Sequence, residues 1–138
     1  MGLDHEKLDV YRLELELVRW TTGLLAEIRS SRDGVNAREV CDHLDRASLS
    51  ALFNTAEGNG KRQRQTRSKF FDDARGSATE CSACLDALVA KGVCPSHRIS
   101  EGKDMLVRIV SMLCKMVDMY SAAPGVHEEG EAYETEAV

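Results

Sequence analysis

Leu8-Asp9-Val10-Tyr11-Arg12-Leu13-Glu14-Leu15-Glu16-Leu17-Val18 opens a segment, Asp4 to Arg29, whose apolar residues fall into two stripes. One stripe is Leu8, Tyr11, Leu15, Val18, Leu25 and Ile28, and the other is Val10, Leu13, Leu17 and Leu24. Both have the three-four spacing of a helix. The spacing predicts one long helix from Asp4 to Arg29, about 39 Å in length. Two stripes exceed what one core requires, so a second buried face and a homo-oligomer are expected.

Working outward, Ser30-Ser31-Arg32-Asp33-Gly34 is a turn cluster, and Asn36 with Glu39 three residues on has the form of a capping box. A second helix is predicted from there to about Glu57. Its buried side carries Val40, Leu44, Ala47, Ala51 and Leu52, with Leu49, Phe53 and Ala56 beside it. Gly58 and Gly60 are read as its stop. Phe70, Phe71, Ala74, Ala78, Cys81, Leu85, Leu88 and Val89 mark a third helix, stopped by Gly92. Gly76 inside it costs about 1 kcal/mol against alanine and suggests a close neighbour. A fourth and most apolar helix runs from about Glu101 to Tyr120, through Met105, Leu106, Ile109, Val110, Met112, Leu113, Met116, Val117 and Tyr120. Four amphipathic helices on short loops predict an all-α, antiparallel up-down four-helix bundle over residues 1–120.

Composition agrees. The chain has 138 residues, 43% of them hydrophobic and 30% charged, with two prolines and few aromatics. That suits one helical domain better than a sandwich or barrel. No apolar run approaches a membrane span, and no secretory signal is readable, so a cytoplasmic location is expected. Five cysteines are an odd set for a disulfide framework and read as free thiols. The net charge of −5 belongs to residues 121–138, an expected acidic, disordered tail with Glu128, Glu129, Glu131, Glu134 and Glu136 and no Lys or Arg. It reads first as a solubilising appendage and second as a shield for a basic rim. Residues 1–120 are formally neutral but polarised, because residues 61–69 hold five basic residues and no acid.

Asn54-Thr55-Ala56-Glu57-Gly58-Asn59-Gly60-Lys61-Arg62, followed by Phe70-Phe71-Asp72-Asp73-Ala74-Arg75-Gly76-Ser77-Ala78-Thr79-Glu80, resembles the signature of the bacterial four-helix bundle proteins. These include proteins encoded in intervening sequences of large-subunit ribosomal RNA genes, and they are related to the accessory proteins of diversity-generating retroelements. The resemblance runs from Leu8-Asp9-Val10-Tyr11 to about Tyr120. Gln63 departs from it, standing where the family often has a Ser or Thr able to cap the third helix. The resemblance implies a ring-like homopentamer without catalysis, and in the retroelement relatives a pentamer that acts with RNA and a reverse transcriptase.

Lys61, Arg62, Arg64, Arg67 and Lys69, with Arg75 two turns on, supply phosphate-binding charge around a helix N-terminus, which itself favours anions. No Tyr or Trp is interleaved, so stacking of single strands is not indicated. Cys81, Cys84, Cys94 and His97 have the outline of a zinc site. Cys81 and Cys84 fall inside a helix, however, and buried thiols are the preferred reading, with no metal or cofactor expected. Glu57 and Glu80 on adjacent helices could pair as carboxylates. Without Glu-x-x-His motifs, Asn54, Glu57, Ser77 and Glu80 read instead as a polar cluster that fixes helix register or subunit packing. The sequence therefore predicts a non-enzymatic oligomer that binds RNA or DNA through a basic rim, without base specificity. The alternative is a protein-interaction scaffold, and a metal or redox role for the cysteines ranks third.

Overall fold

The computed structural model describes residues 2–121. A one-turn 3-10 helix, Asp4–Lys7, leads into α1 (Asp9–Arg29), and a second, Arg32–Gly34, into α2 (Arg38–Asn59). The longest helix, α3 (Arg64–Ala90), follows a short turn, and a third 3-10 helix, Ser96–Ile99, runs directly into α4 (Ser100–Ser121). There is no strand among the described residues, and no helix among them is long and apolar enough to cross a membrane. Each helix packs against its sequence neighbours and α1 closes against α4, which gives the antiparallel up-down bundle. The α2–α3 seam is the most extensive and the α1–α4 seam the least. Of the expected tail, only Ser121 falls among the described residues, where it ends α4; residues 122–138 lie outside them.

Three expected boundaries move, each for a local reason. The first helix begins at Asp9 rather than Asp4, because Leu8 is extended (φ −74°, ψ 130°) and its N–H donates to His5 C=O at 3.1 Å. The preceding turn closes on itself when the Leu3 N–H donates to Glu6 Oε2 at 2.7 Å. Helix α1 thus has 21 residues and is about 32 Å long. The Asn36/Glu39 capping box does not form: Ala37 is the N-cap residue and no side chain caps the helix. Ala37 is fully buried, so core packing and the turn bonds Gly34 N–H to Ser31 C=O and Ala37 N–H to Gly34 C=O set this start.

Gly58 does not stop α2. It lies inside the helix, buried, where a Cβ would stand 2.8 Å from Phe70 Cβ and 3.1 Å from the Phe71 ring. Its missing side chain is what allows α2 and α3 to approach there. The stop is Gly60, in right-handed conformation. Gly92 performs the role expected of it. At φ +72° it ends α3 in a Schellman motif, with Gly92 N–H on Val89 C=O at 2.9 Å and Val93 N–H on Leu88 C=O at 3.0 Å. Gly76, by contrast, has nothing within 4 Å of a Cβ built on it.

Phe71, Leu17, Leu24, Leu44, Leu85, Leu88, Ile109 and Leu113 are fully buried and form the centre of one core. On the α1–α4 seam the Trp20 ring lies close enough to Gly102 that any Cβ there would overlap it, and the Arg98 guanidinium stands 5.7 Å from the indole. The stripe that begins at Leu8 is only half-buried at Tyr11, Leu15 and Val18. Tyr11 and Val18 share a helix face with Arg29, whose guanidinium bonds Asp42 of α2 at 2.8 Å. Leu49 and Ala56 share a face with Asp42, so these half-buried residues line one α1–α2 flank. Phe53, expected beside the buried side of α2 together with Leu49 and Ala56, is 60% exposed.

The sequence reading gave no role to Glu14. It is fully buried on α1, where its Oε2 accepts a hydrogen bond from Thr55 Oγ1 of α2 at 2.8 Å. Glu14 Oε1 and Thr21 Oγ1, two stripe positions on, are buried without a partner among the described residues. Burial pushes the Glu14 carboxyl up from 4.5 to about 8, against the lowering effect of the Thr55 bond. The acid is therefore protonated in the folded protein at neutral pH.

Two outcomes follow for stability. Gly58→Ala should destabilise the fold by about 1–3 kcal/mol despite alanine's better helix propensity, and Gly76→Ala should stabilise it by about 0.5–1 kcal/mol. Urea denaturation reads both, and a neutral Gly58→Ala would refute the close-approach role. The folded state holds the Glu14 proton more tightly than the unfolded chain, so this contribution to stability is complete below about pH 4.5 and is lost as pH rises through about 8. Relative to Glu14→Gln, the wild type should lose roughly 2–3 kcal/mol between pH 6 and pH 9. A pH-independent difference between the two proteins would contradict the buried acid.

Candidate nucleic-acid interface

The basic run wraps the corner between α2 and α3. Gly60 N–H bonds Ala56 C=O at 3.2 Å and Glu57 C=O at 3.1 Å, which closes α2, and Lys61 N–H reaches Gly58 C=O at 3.2 Å. Gln63 then turns extended (φ −82°, ψ 134°) and accepts the Arg67 N–H at 3.0 Å, starting α3. Gln63 is thus the N-cap residue, the position where the resemblance expected a Ser or Thr. It makes no side-chain cap bond, and its Oε1 meets Thr66 Oγ1 at 3.5 Å instead. The first-turn N–H groups of a 27-residue helix therefore lack a side-chain cap at this corner.

The six basic residues divide by what they touch. Arg62 is exposed, and Lys61 sits with its ammonium 5.2 Å from the Phe70 ring. Arg67 is a clamp: one terminal nitrogen donates to Asn59 C=O at 2.6 Å and to Asn59 Oδ1 at 3.0 Å, and its guanidinium lies 5.0 Å from the Tyr120 ring. Arg64 donates to Met119 C=O and stands 5.4 Å from the same ring. Lys69 pairs with Asp73 at 3.4 Å, and Arg75 pairs with Asp72 at 2.9 Å. The ion pairs of Lys69 and Arg75 are exposed and worth little, about 0–1 kcal/mol each. Even so, they offset two of the expected charges. Lys61, Arg62 and Arg67 have no carboxylate partner among the described residues.

Tyr120 is the member of this corner that the sequence reading missed. It lies 53 positions after Arg67, on the end of α4, and only the antiparallel return of that helix brings it alongside. The Phe71 ring tilts against it at 5.7 Å, and Ser68 Oγ donates to Val117 C=O at 2.9 Å, which fastens the same turns together. An aromatic does stand among the cations, but its ring is occupied by arginines of its own chain.

Of the expected polar cluster, Asn54 and Ser77 come together through a residue not foreseen, Ser50. Ser50 Oγ and Ser77 Oγ are 2.9 Å apart, and Asn54 Nδ2 donates to Ser50 C=O at 2.9 Å and to Ser50 Oγ at 3.1 Å. The glutamates do not join them. With Ser50 opposite Ser77, antiparallel register puts Glu57 near the level of Phe70 and Glu80 near that of Ala47, about 15 Å apart along the axis. Glu80 meets His43 at 3.5 Å, and Glu57 is exposed with no partner among the described residues. The paired-carboxylate arrangement is thereby excluded by geometry.

Cys41, Cys81 and Cys84 are buried free thiols, and Cys94 is half-buried in the α3–α4 loop. Burial pushes Cys81 up to about 12 and raises the other three as well. Among the described residues, no three His, Cys, Asp or Glu are grouped to hold a metal, and the Cys81, Cys84, Cys94, His97 outline does not converge.

Arg67→Gln should cost about 1–3 kcal/mol of stability, since it loses a charged pair of hydrogen bonds and the Tyr120 contact. Arg62→Gln should stay within about 0.5 kcal/mol of wild type. Chemical denaturation separates the two, and equal effects would dissolve the distinction between clamp and free cation.

A comparison with curated proteins returned no match. The family model for 23S rRNA-intervening sequence protein matches residues 6–115, from the turn before α1 into α4. With all four helices inside or overlapping that span, the chain belongs to the 23S rRNA-intervening sequence protein family.

Proposed function

We propose that this protein is a non-enzymatic, self-associating helical bundle that binds nucleic acid, RNA in the first place, through the α2–α3 corner and without base specificity. The observation that carries the reading is that Lys61, Arg62 and Arg67 stand at an exposed helix N-terminus with no carboxylate among the described residues to neutralise them. Phosphate contacts of this kind position a polyanion but read no sequence. The family's description, which ties its members to a 23S rRNA intervening sequence, accords with an RNA partner.

Self-association is supported by the α1–α2 flank, where Tyr11, Leu15, Val18 and Leu49 are half-buried next to exposed Phe53. A homopentamer is the form implied by the family resemblance, and it would repeat the corner around one rim and strengthen its field. The same flank favours a second reading, a scaffold that binds another protein, such as a reverse transcriptase, and no nucleic acid.

Fluorescence anisotropy with a 20-base-pair RNA should show affinity that falls steeply with salt. Lys61→Gln/Arg62→Gln should flatten the log-log slope by about 1.5, close to two phosphate contacts. Absence of binding to RNA or DNA at 20 mM salt would give the scaffold reading its place. Light scattering should return a multiple of 15.3 kDa, and a monomer mass at micromolar concentration would remove the self-association.

A further inference from the structure

The last turn of α4 and the first turn of α3 are bound to each other: Arg64 donates to Met119 C=O, and Arg67 lies over Tyr120. Ser121, the last described residue, consequently stands beside the cationic corner. The residues that follow hold five glutamates and neither Lys nor Arg, while residues 1–120 are formally neutral. We infer that the glutamates at 128, 129, 131, 134 and 136 bind the α2–α3 corner when no nucleic acid is present, so that the chain carries its own competitor for that site. This deepens the nucleic-acid reading and rests on it only for what is displaced.

Distance and charge both favour the corner over other docking points. Glu128 is seven residues past Ser121 and Glu136 fifteen, so the chain can reach at most roughly 25 Å and 50 Å respectively. That spans the corner, and a tether of such length presents its ligand at roughly millimolar effective concentration. At the opposite end of the bundle Arg29, Arg98 and Lys103 are already paired with Asp42, Glu27 and Asp86 at 2.7–2.8 Å, and Arg32, Arg38 and Lys91 there, unpaired among the described residues, lie a bundle length away from Ser121. A polyanion must then displace several carboxylates at once. Densely charged nucleic acid can do so, whereas short or sparsely charged anions cannot, and the corner gains a threshold.

Zero-length carbodiimide crosslinking of the full-length chain, read by mass spectrometry, tests the contact without nucleic acid. Lys61 or Lys69 should be joined to Glu128–Glu136 at low salt and not at about 0.5 M salt, where charges are screened within a few ångströms. The 2.7 Å Lys103–Asp86 pair is the internal reference. In parallel, changing all five glutamates to Gln in the full-length chain should tighten binding of the 20-base-pair RNA by roughly three- to tenfold at 50 mM salt, with the difference gone by 300 mM. If the Lys103–Asp86 crosslink forms and no rim lysine reaches the glutamates, the contact is refuted, and tighter binding by the Gln variant would then be a general charge effect. If the rim crosslinks form but RNA affinity is unchanged by the five substitutions, the competitor role is refuted. If the rim crosslinks form and neither protein binds RNA or DNA, the nucleic-acid reading falls while the intramolecular contact stands.

Discussion

The approach of α2 to α3 at Gly58 is the constraint from which the functional end of this bundle is built. Because no side chain intervenes, Phe70 and Phe71 pack onto the helix backbone, and Phe71 is driven fully into the core. Phe71 in turn supports Tyr120, and Tyr120 supports Arg64 and Arg67. A bulkier residue at position 58 would separate the helices, and the displacement would pass through Phe71 to the whole cationic corner. Packing density of this kind transmits small shifts because interiors have little free volume to absorb them.

The basic run also illustrates how a fold divides labour among identical charges. Arginine can form planar, multiple hydrogen bonds and stack on a ring while remaining charged. Arg67 uses this to tie two helices without surrendering its charge to a carboxylate, whereas Lys69 and Arg75, one and three turns into α3, are drawn into ion pairs with Asp73 and Asp72. The corner's field is therefore narrower than the sequence run suggests, and it is concentrated on the turn rather than spread along the helix.

Helix number, order and the Gly92 stop were legible because each is signalled within a few residues, by period and by punctuation. What stayed hidden depends on register between helices. Glu14 occupies the stripe Val10, Glu14, Leu17, Thr21, Leu24, yet a carboxylate is ordinarily assigned to solvent, and only Thr55 of α2 gives it a partner. Gly58 looks like a terminator until Phe70 is placed against it. Ser50 became the hub of the polar contact in place of Glu57 because side-chain pairing follows the level at which antiparallel helices meet, which no local pattern encodes. Tyr120 was concealed in the same way by the length of chain between it and Arg67.

The placement of Trp20 has an optical consequence. It is the chain's one tryptophan, half-buried against Gly102 with Arg98 beside its ring, on the seam between α1 and α4 that is the least extensive in the bundle. The tryptophan emission of this protein accordingly reports the opening of its least extensive helix seam, at a site away from the cationic corner. A ligand seated at that corner should be spectroscopically silent unless it loosens α1, so the indole separates occupancy from breathing of the bundle in a single cuvette.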